Sequence, residues 1–350
     1  MTEEPPVTTP RTGLLEPATE PVTESGGAAD GARSRTPDGG PPKGAAGRPL
    51  PSGPLAVPRG LLRTARPRQW IKNVLVLAAP AAAGELASPG VPARLAACFA
   101  LFTCASAAIY LVNDAKDVAA DRAHPTKRFR PVAAGLVPVP LAYGTGLVLA
   151  ALALAGATLV CSTATALVIG SYLVMQLLYC TWFKHLPVVD LMVVASGFLL
   201  RAMAGGTAIG VPLSRWFLIT AGFGALFLVA AKRYSERAGE GGSGRTRPLL
   251  AAYSTEYLRF VWQLAAGVTM LSYCLWALGS PPESPHVPAG AVLPWRPLSI
   301  IPFLVVLLRY AVFADRAESG APEDVVLRDR PLQIAAATWL VLYGFSVAGL

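Results

Sequence analysis

One short stretch of the chain carries side-chain oxygens at a regular spacing. Asn113, Asp117 and Asp121 follow one another at intervals of four residues, and Asp114 stands one step round. On an α-helix this spacing puts the first three side chains on one face, where like charges repel. Mg²⁺ prefers a few carboxylates together with the oxygens of a bound phosphate. The stretch therefore predicts a site for Mg²⁺ and a diphosphate, in preference to a solvated acidic helix end.

Basic residues come directly after this acidic run. They include Lys127, Arg128 and Arg130. An Arg side chain offers phosphate a planar fork of donors, and a Lys side chain offers a point charge. Acids followed closely by bases suit a metal-bound diphosphate whose other oxygens need cationic partners. Anchoring to anionic lipid headgroups is the alternative that this segment leaves open.

Further polar clusters stand at the ends of apolar segments, near residues 66–73, 179–185 and 232–236. Each combines Lys or Arg with aromatic side chains, so each suits phosphate binding and interfacial anchoring equally well. Two ionisable residues, Asp190 and Arg201, lie inside one apolar segment. They are about 16 Å apart at helical rise and cannot pair directly. A structural role is favoured for this arginine, although an intramembrane Arg is a functional candidate by default.

The elements that must position these residues are long and apolar. Hydrophobic residues make up 53% of the chain and charged residues 15%, with a mean hydropathy of +0.48. A soluble domain carries roughly a quarter charged residues. The apolar residues also come in blocks long enough to cross about 30 Å of hydrocarbon. The sequence therefore predicts an all-α, polytopic membrane protein with nine transmembrane helices. We place the spans near residues 68–86, 94–113, 139–160, 163–183, 188–209, 215–231, 259–279, 297–314 and 332–350.

The first 58 residues differ from the rest. They are rich in Pro, Gly, Thr and Ala, and they lack the basic-then-apolar order of a signal peptide. Such a composition cannot bury a core. We expect a disordered cytoplasmic tail at 1–58 and a transmembrane catalytic domain at 59–350. The five cysteines fall in or beside apolar segments without metal-ligand spacing, which predicts small core residues.

The distribution of Lys and Arg orients the predicted bundle. With the N-terminus inside, only Arg94, Arg215 and Arg296 of the residues flanking the spans fall on the outer side. This bias predicts a multi-pass protein of the cell membrane, with its N-terminus and charged clusters in the cytoplasm and its C-terminus outside. The net charge of +9 fits both this topology and an anionic substrate.

The residues quoted above resemble the UbiA superfamily of membrane prenyltransferases. The run from Asn113 to Asp121 is similar to that family's first aspartate-rich motif, and Tyr179 with Lys184 is similar to its Tyr/Lys loop. The resemblance covers residues 60–350, and it implies a bundle of UbiA type that uses Mg²⁺. One departure is the basic segment at 232–236, where typical members carry a second aspartate-rich motif. Its lack of aspartates argues against a prenyl diphosphate donor held between two acidic motifs.

Several segments look closest to a branch of that family that transfers phosphoribose. Among them are RPRQWIKN, YLVNDAKDVAADRAHPTKRFRPVAAG, KRYSE and APEDVVLRDR. The resemblance implies transfer of 5-phosphoribose from 5-phosphoribosyl 1-diphosphate to decaprenyl (polyprenyl) phosphate in the bilayer. Diphosphate is released, and the product serves arabinan and arabinogalactan precursor synthesis for the cell wall. A lipid phosphate is already ionised at neutral pH, so this reaction needs no general base.

The resemblance also implies roles for individual residues. The residues of the acidic run would be catalytic and would bind Mg²⁺ and diphosphate; they are Asn113, Asp114, Asp117 and Asp121. Three of them, Asn113, Asp117 and Asp121, would be the metal ligands. The sugar-phosphate donor would be held by Lys127, Arg128 and Arg130. The other candidates for substrate binding are Arg68, Lys72, Asn73, Tyr179, Lys184, Lys232, Arg233 and Tyr234.

Three other functions account for less of the sequence. Transfer of a polyprenyl group from its diphosphate to an aromatic or other acceptor would keep the first motif but would need an acidic second one. A CDP-alcohol phosphotransferase would need Gly-Ala-Arg where Val118, Ala119 and Ala120 stand. A transporter would place polar residues at mid-membrane in several spans, whereas these gather at one rim. No nucleic-acid partner is expected. Prenyl chain length and assembly into a homo-oligomer are left open.

Overall fold

The computed structural model describes residues 53, 55–239, 248–279, 294–320 and 322–348. The predicted tail lies almost entirely outside them, and its boundary at residue 58 falls inside the first described helix. The described part contains helices and no strands, as predicted. The α-helices in chain order are α1 (Ala56–Thr64), α2 (Ala78–Ala82), α3 (Val91–Lys116), α4 (Val118–Ala123), α5 (Val139–Gly156), α6 (Thr163–Thr181), α7 (Val189–Ile209), α8 (Arg215–Ala238), α9 (Thr255–Leu278), α10 (Trp295–Leu298), α11 (Ile300–Asp315), α12 (Pro322–Arg328) and α13 (Arg330–Ala348).

Eight helical stretches of the described residues are long and apolar enough to cross a membrane. They correspond to the second through ninth predicted spans, with α10 and α11 counted together. Large apolar side chains on them are exposed, for example Leu147 at 72%, Leu159 at 84% and Leu271 at 60%. A soluble protein rarely exposes so much contiguous apolar surface. The chain is a multi-pass membrane protein whose outer surface faces lipid.

The first predicted span is built differently. It consists of a 3₁₀ helix, Pro67–Leu77, continued by the short helix α2. A 3₁₀ helix rises about 2.0 Å per residue and an α-helix about 1.5 Å, so the two pieces together reach about 30 Å. At one end Arg66 pairs with Asp114, and at the other the Tyr343 hydroxyl donates to the carbonyl of Ala82. The segment is thus about as long as the hydrocarbon core is thick, but it is not among the eight stretches of the described residues that qualify as membrane-crossing helices, so the ninth crossing stays a prediction.

A close backbone contact seats this segment against α7. A Cβ atom at Gly205 would overlap the carbonyl oxygen of Val76, and one at Gly206 would press on Ala79 and Leu213. Backbone atoms cannot rotate away from such an overlap, as a flexible side chain can. The absence of a side chain at Gly205 therefore allows the 3₁₀ helix to lie directly on α7.

We predict that Gly205→Ala destabilises the protein by about 3 kcal/mol or more, the upper end for overpacking. Gly144→Ala is the matched control, because open space surrounds that position on α5. The control should be neutral or stabilising by up to about 1 kcal/mol, as expected for Ala over Gly in a helix. Thermal unfolding in detergent measures both variants. Equal midpoints would show that the close contact does not hold the segment.

A buried polar network occupies the middle of the bundle. The guanidinium of Arg201 donates from Nε to Asn73 Oδ1 (2.8 Å), from NH1 to the carbonyl of Gly197 (2.6 Å) and from NH2 to the Tyr172 hydroxyl (3.1 Å). It also lies over the ring of Phe102, 5.2 Å from the centroid. Arg201 is 7% exposed, and each of its three nitrogens has an acceptor. The favoured structural role for this intramembrane arginine is supported, and its side-chain partners Asn73 and Tyr172 come from other helices, while Gly197 lies on the same helix.

The acidic run keeps its register through a break in the helix. Helix α3 ends at Lys116 and α4 begins at Val118, with Asp117 between them at φ −84° and ψ 8°. The amide of Asp117 still donates to the carbonyl of Asn113, and that of Asp121 to the carbonyl of Asp117. Because this four-residue pattern continues, the three metal-ligand candidates remain on one side of the chain.

The cysteines behave as the sequence predicts. All five are unpaired, and Cys98 and Cys180 are buried among apolar side chains.

Candidate functional site

The acidic run lies at one end of the bundle, where the chain enters the 3₁₀ helix and where α3 and α6 end and α7 begins. We call this the charged end. Asp114 is 2% exposed and lies between two arginines. Its Oδ1 atom is 2.7 Å from Arg66 NH2 and 3.3 Å from Arg130 NH1. The same Arg130 nitrogen is 2.7 Å from Asp121 Oδ2, and Asp121 is 3% exposed. Arg130 thus links two carboxylates of the acidic run.

The third carboxylate of the run has a lysine partner from another helix. Lys184 Nζ donates to Asp117 at 3.0 Å to Oδ1 and 3.3 Å to Oδ2. Both side chains are about one quarter exposed. Lys116 Nζ donates to the carbonyl of Cys180 and ties the end of α6 to the end of α3. The structure therefore gathers Asp114, Asp117, Asp121, Arg130 and Lys184, all of them predicted site residues, into one cluster with Arg66; we call this the α3–α4 cluster.

Arg66 is the member of this cluster that the predicted site omits. Its backbone is left-handed, with φ 54° and ψ 66°, a conformation that costs a non-glycine residue about 1 kcal/mol or more. Its guanidinium lies over the Tyr110 ring, 4.7 Å from the centroid, while it pairs with Asp114. With the predicted Arg68 it also lines a cavity of about 640 Å³ that includes Arg63. The one sequence signal was its place in the basic segment before the first span.

A second group of charges lies where α7 begins and α8 ends. Asp190 is 1% exposed and accepts two hydrogen bonds from the Arg233 guanidinium. Arg233 Nε donates to Asp190 Oδ2 at 3.2 Å, and NH2 donates to Oδ1 at 3.4 Å. Tyr179 donates its hydroxyl to Asp190 Oδ1 at 2.5 Å. Arg233 NH1 reaches Glu236 Oε2 at 3.0 Å, and Lys232 stands 4.0 Å from the same carboxylate. We call these five residues the α7–α8 cluster.

The segment 179–188, which runs from the end of α6 to the start of α7, joins the two clusters. Tyr179, near the end of α6, belongs to the α7–α8 cluster, and Lys184, five residues on, belongs to the α3–α4 cluster. The segment ends at Val188, whose φ of 68° is unusual for a β-branched residue. The Val188 amide donates to the hydroxyl of Tyr253 at 2.7 Å. Burial raises the pKa of the Tyr253 phenol, so it stays protonated at neutral pH.

Some of the predicted substrate-binding residues are engaged elsewhere. Asn73 is 1% exposed, and its amide nitrogen donates to Thr103 and Ser106 while its oxygen accepts from Arg201. It belongs to the mid-bundle network and does not face the charged end. Tyr234 is 5% exposed and accepts a hydrogen bond from Arg259 NH2 at 2.6 Å. In this structure neither side chain reaches the α3–α4 cluster.

The remaining predicted residues are Arg68, Lys72, Lys127 and Arg128. Lys127 and Arg128 lie in the short 3₁₀ helix Lys127–Phe129, where Arg128 is exposed and stacks on the Phe129 ring. Lys72 lies above the Phe198 ring, 5.9 Å from the centroid. Arg68 is exposed and lines the cavity beside Arg66. Their roles in substrate binding stay predictions.

The side-chain oxygens of the acidic run are the type of ligand that a divalent cation such as Mg²⁺ prefers. Among the described residues, no three His, Cys, Asp or Glu side chains already stand together as a metal site. Mg²⁺ does not require such a cage, because proteins bind it through one or two carboxylates together with substrate phosphates and water. Asn113, Asp117 and Asp121 supply oxygen donors from one side of the chain. The cations beside these aspartates are the groups that would meet the phosphates.

Comparison with known protein families and curated proteins gives consistent matches. The model of the UbiA prenyltransferase family matches residues 74–328. A decaprenyl-phosphate phosphoribosyltransferase of Mycobacterium tuberculosis (strain H37Rv) is 47% identical over 300 residues, covering 84% of this chain and 96% of that protein. The protein of the same name from Corynebacterium glutamicum is 47% identical over 285 residues, covering 80% of this chain and 84% of the relative.

Solved structures share the fold. A UbiA homolog from Archaeoglobus fulgidus bound to DMAPP and Mg²⁺ superposes with a TM-score of 0.60 at 20% identity, over 83% of this chain and 99% of that one. The same homolog bound to GPP and Mg²⁺ gives 0.59 at 21% identity, over 83% and 100%. At this level of identity the likeness establishes the arrangement of helices.

Proposed function

The chain belongs to the UbiA prenyltransferase family, and from this membership we propose that it is a membrane phosphoribosyltransferase. It transfers 5-phosphoribose from 5-phosphoribosyl 1-diphosphate to decaprenyl phosphate or another polyprenyl phosphate, and it releases diphosphate. The observation that carries the proposal is 47% identity to a decaprenyl-phosphate phosphoribosyltransferase over 96% of that relative's length. Prenyl transfer to an aromatic acceptor is less well supported, because both relatives described above have the phosphoribosyl-transferring name.

The charge pattern of the charged end supports an anionic donor. Each aspartate of the α3–α4 cluster already holds an Arg or Lys partner. Phosphate oxygens compete for the same cations, because charge-assisted bonds from Arg or Lys form with phosphate as well as with carboxylate. We assign Arg130 and Lys184 to the phosphates of the donor. That exchange leaves Asp117 and Asp121, with the amide oxygen of Asn113, to hold Mg²⁺.

The chemistry divides between the metal and the protein. When bound, Mg²⁺ would supply Lewis-acid stabilisation of the departing diphosphate. Asp114, buried between Arg66 and Arg130, orients both guanidinium groups toward the donor. The lipid phosphate needs no general base, because it is already ionised at neutral pH. The remaining task of this chain is to hold the two anionic substrates side by side, for which Lys72, Lys127, Arg128 and Lys232 supply further cations.

The setting follows from the substrates. The donor is soluble in water and the acceptor lies in the bilayer, so the charged end should face the cytoplasm. The distribution of Lys and Arg in the sequence favours that orientation. We propose a location in the cell membrane, with the N-terminus inside and the C-terminus outside. In an organism with arabinan in its wall, the product would feed cell-wall precursor synthesis.

An assay with two labels tests the function. Purified protein in lipid nanodiscs receives Mg²⁺, decaprenyl phosphate and 5-phosphoribosyl 1-diphosphate labelled in the ribose. Label should enter the butanol-extractable lipid, with one diphosphate released per ribose transferred. In parallel, labelled prenyl diphosphate is offered with an aromatic acceptor. Label in the aromatic product, and none in the lipid phosphate, would contradict the proposal.

Arg66→Ala tests the arginine that the structure adds to the site. A hydrogen bond to a charged group contributes about 1.5–3 kcal/mol, so kcat/KM for the donor should fall roughly 10- to 100-fold. Arg66→Lys should recover only part of this loss, because lysine lacks the planar fork. Arg59→Ala, an exposed arginine on α1, is the control and should behave as the parent. Equal kinetics for Arg66→Ala and Arg59→Ala would remove Arg66 from the site.

A further inference from the structure

Lys184, which we assign to the phosphates of the donor, lies outside the long helices. It is part of the short 3₁₀ helix Phe183–His185, between α6 and α7. In the same connection the Leu186 and Val188 side chains are nearly half exposed, at 46% and 48%. Apolar packing of these side chains therefore does little to fix the backbone that carries Lys184. Other contacts must hold that backbone if the Lys184 amine is to stay 3.0 Å from its carboxylate partner.

The backbone four residues after Lys184 has a rare conformation. Val188 has φ 68° and ψ −51°, and the Val189 amide donates to the Pro187 carbonyl at 2.8 Å. This arrangement is a γ-turn of the positive-φ form, which is uncommon and strained. Glycine takes positive φ easily, whereas a β-branched residue such as valine is poorly suited to it. Backbone strain of this kind persists only where the surrounding structure fixes it, and it is concentrated at functional sites.

Tyr253 is the residue that holds this turn. Its hydroxyl oxygen accepts a hydrogen bond from the Val188 amide at 2.7 Å, across 65 residues of chain. Tyr253 is 3% exposed, and its ring stacks on the Tyr257 ring of α9 with centroids 5.7 Å apart and an interplanar angle of 9°. The Tyr253 carbonyl also accepts from Arg237 Nε of α8 at 3.3 Å. Tyr253 is therefore itself held firmly by α8 and by the start of α9.

The other end of the connection is held independently. Tyr179, near the end of α6, donates its hydroxyl to Asp190 Oδ1 at 2.5 Å, and Asp190 pairs with Arg233 of α8. The Tyr179 contact thus acts on the helix that precedes Lys184. The Tyr253 contact acts on the backbone that follows it. Lys184 lies between these two anchors, and its position depends on both.

We propose that Tyr253 is a positioning residue, which holds Val188 in the γ-turn and thereby keeps Lys184 directed at the phosphates of the donor. This inference rests on the proposed function, since that function supplies the donor. Without the tyrosine hydroxyl, Val188 relaxes to negative φ, and the backbone that carries Lys184 changes direction four residues away. The Lys184 amine then leaves the place where the donor phosphates bind.

Removal of one oxygen atom tests this inference. Tyr253→Phe keeps the buried ring and its stacking but removes the acceptor for the Val188 amide. Tyr257→Phe is the matched control, because it removes the same atom from the neighbouring ring of a residue that is 36% exposed. In nanodiscs with Mg²⁺ and decaprenyl phosphate, Tyr253→Phe should raise the KM for 5-phosphoribosyl 1-diphosphate about tenfold, the lower end for a lost charge-assisted hydrogen bond. The KM for decaprenyl phosphate should stay unchanged, and Tyr257→Phe should match the parent. Thermal unfolding in detergent checks the fold of both variants.

Substitutions at Val188 distinguish positioning from packing. Glycine adopts positive φ without steric cost, whereas alanine at such a position is strained. Val188→Gly should therefore return the donor KM of Tyr253→Phe to within about threefold of the parent, and Val188→Ala should not. If Tyr253 acted only by filling the core, neither substitution would restore donor affinity. An unchanged donor KM in Tyr253→Phe would overturn the inference, and so would a loss that Val188→Gly fails to rescue or that both substitutions rescue equally.

Readouts without turnover separate this inference from the proposed function. Hydrogen–deuterium exchange, followed by mass spectrometry of peptides that contain Val188, should be faster in Tyr253→Phe than in Tyr257→Phe. Calorimetry with Mg²⁺ and inorganic diphosphate should show about tenfold weaker binding in Tyr253→Phe. Both results would support the inference even if the parent transfers no phosphoribose, an outcome that would refute only the proposed function. Unchanged exchange or unchanged diphosphate affinity in Tyr253→Phe would overturn the inference, whether or not the parent transfers phosphoribose. A parent that binds no diphosphate would overturn both.

Discussion

Asp117→Ala and Asp121→Asn are each expected to lower turnover by about 10³-fold while the protein remains folded. Removing one group that stabilises developing charge in a transition state costs about 10²–10³-fold, and removing a ligand also weakens the metal. Asp117 and Lys184 are both about one quarter exposed, and such pairs contribute about 1 kcal/mol or less to stability. Asparagine at position 121 keeps an acceptor for Arg130, which limits structural damage at that buried site.

The control for these variants is Asp315→Ala. Asp315 ends α11, is 61% exposed and stands 3.5 Å from Arg259, so its loss should change turnover less than twofold. EDTA should reproduce the loss in the parent, and Mg²⁺ should restore it there but not in Asp117→Ala. Radiolabel transferred into lipid measures the rate, and thermal unfolding checks the fold. Near-parental turnover in either acidic-run variant would contradict the metal assignment.

Asp190→Ala should have the largest effect on stability. Asp190 and Arg233 form a pair in which both side chains are less than 10% exposed. Removing one partner of a buried pair costs about 3–5 kcal/mol, and here Glu236 would remain as a carboxylate facing Arg233. Tyr179 also loses its acceptor in this variant. We expect the unfolding midpoint in detergent to fall by roughly 10 °C.

A double variant distinguishes a structural from a catalytic role for this pair. Asp190→Leu with Arg233→Met should regain most of the stability, because apolar replacement of a buried pair is often neutral or favourable. Asp315→Ala again serves as the exposed control, with a change below about 1 kcal/mol. If Asp190→Ala instead keeps its midpoint and loses all turnover, Asp190 belongs to the reacting site and the structural interpretation is wrong.

The α7–α8 cluster shows how much of this region the sequence could predict. Lys232 and Arg233 of the basic segment at 232–236 were predicted to bind a substrate phosphate. In the folded chain Asp190, from the neighbouring helix α7, neutralises Arg233, and Glu236 from the same segment adds a second carboxylate. The sequence shows both acids, but a hydropathy pattern does not reveal which helix ends are neighbours. The balance of charge at this end of the bundle is therefore a tertiary property.

The same limit applies to the residues that the site prediction misplaced or omitted. Arg66 reaches Asp114 across 48 residues, and Asn73 meets Arg201 across 128. Both residues belong to one basic segment, and sequence alone gives no reason to point one to the charged end and the other into the bundle. The left-handed backbone of Arg66 and the 3₁₀ winding that follows it separate the two directions. Neither feature has a periodicity that a reader of the sequence could detect.

By itself, the sequence determined the properties that arise from neighbours along the chain. Apolar block length specified the membrane crossings, and four-residue spacing put Asn113, Asp117 and Asp121 on one side, because helical geometry relates close residues in a fixed way. Only the tertiary structure decided which cation meets which carboxylate and how Arg201 is satisfied. Those outcomes depend on helix packing over long separations, and there the cost of burying an unpaired charge selects the partner.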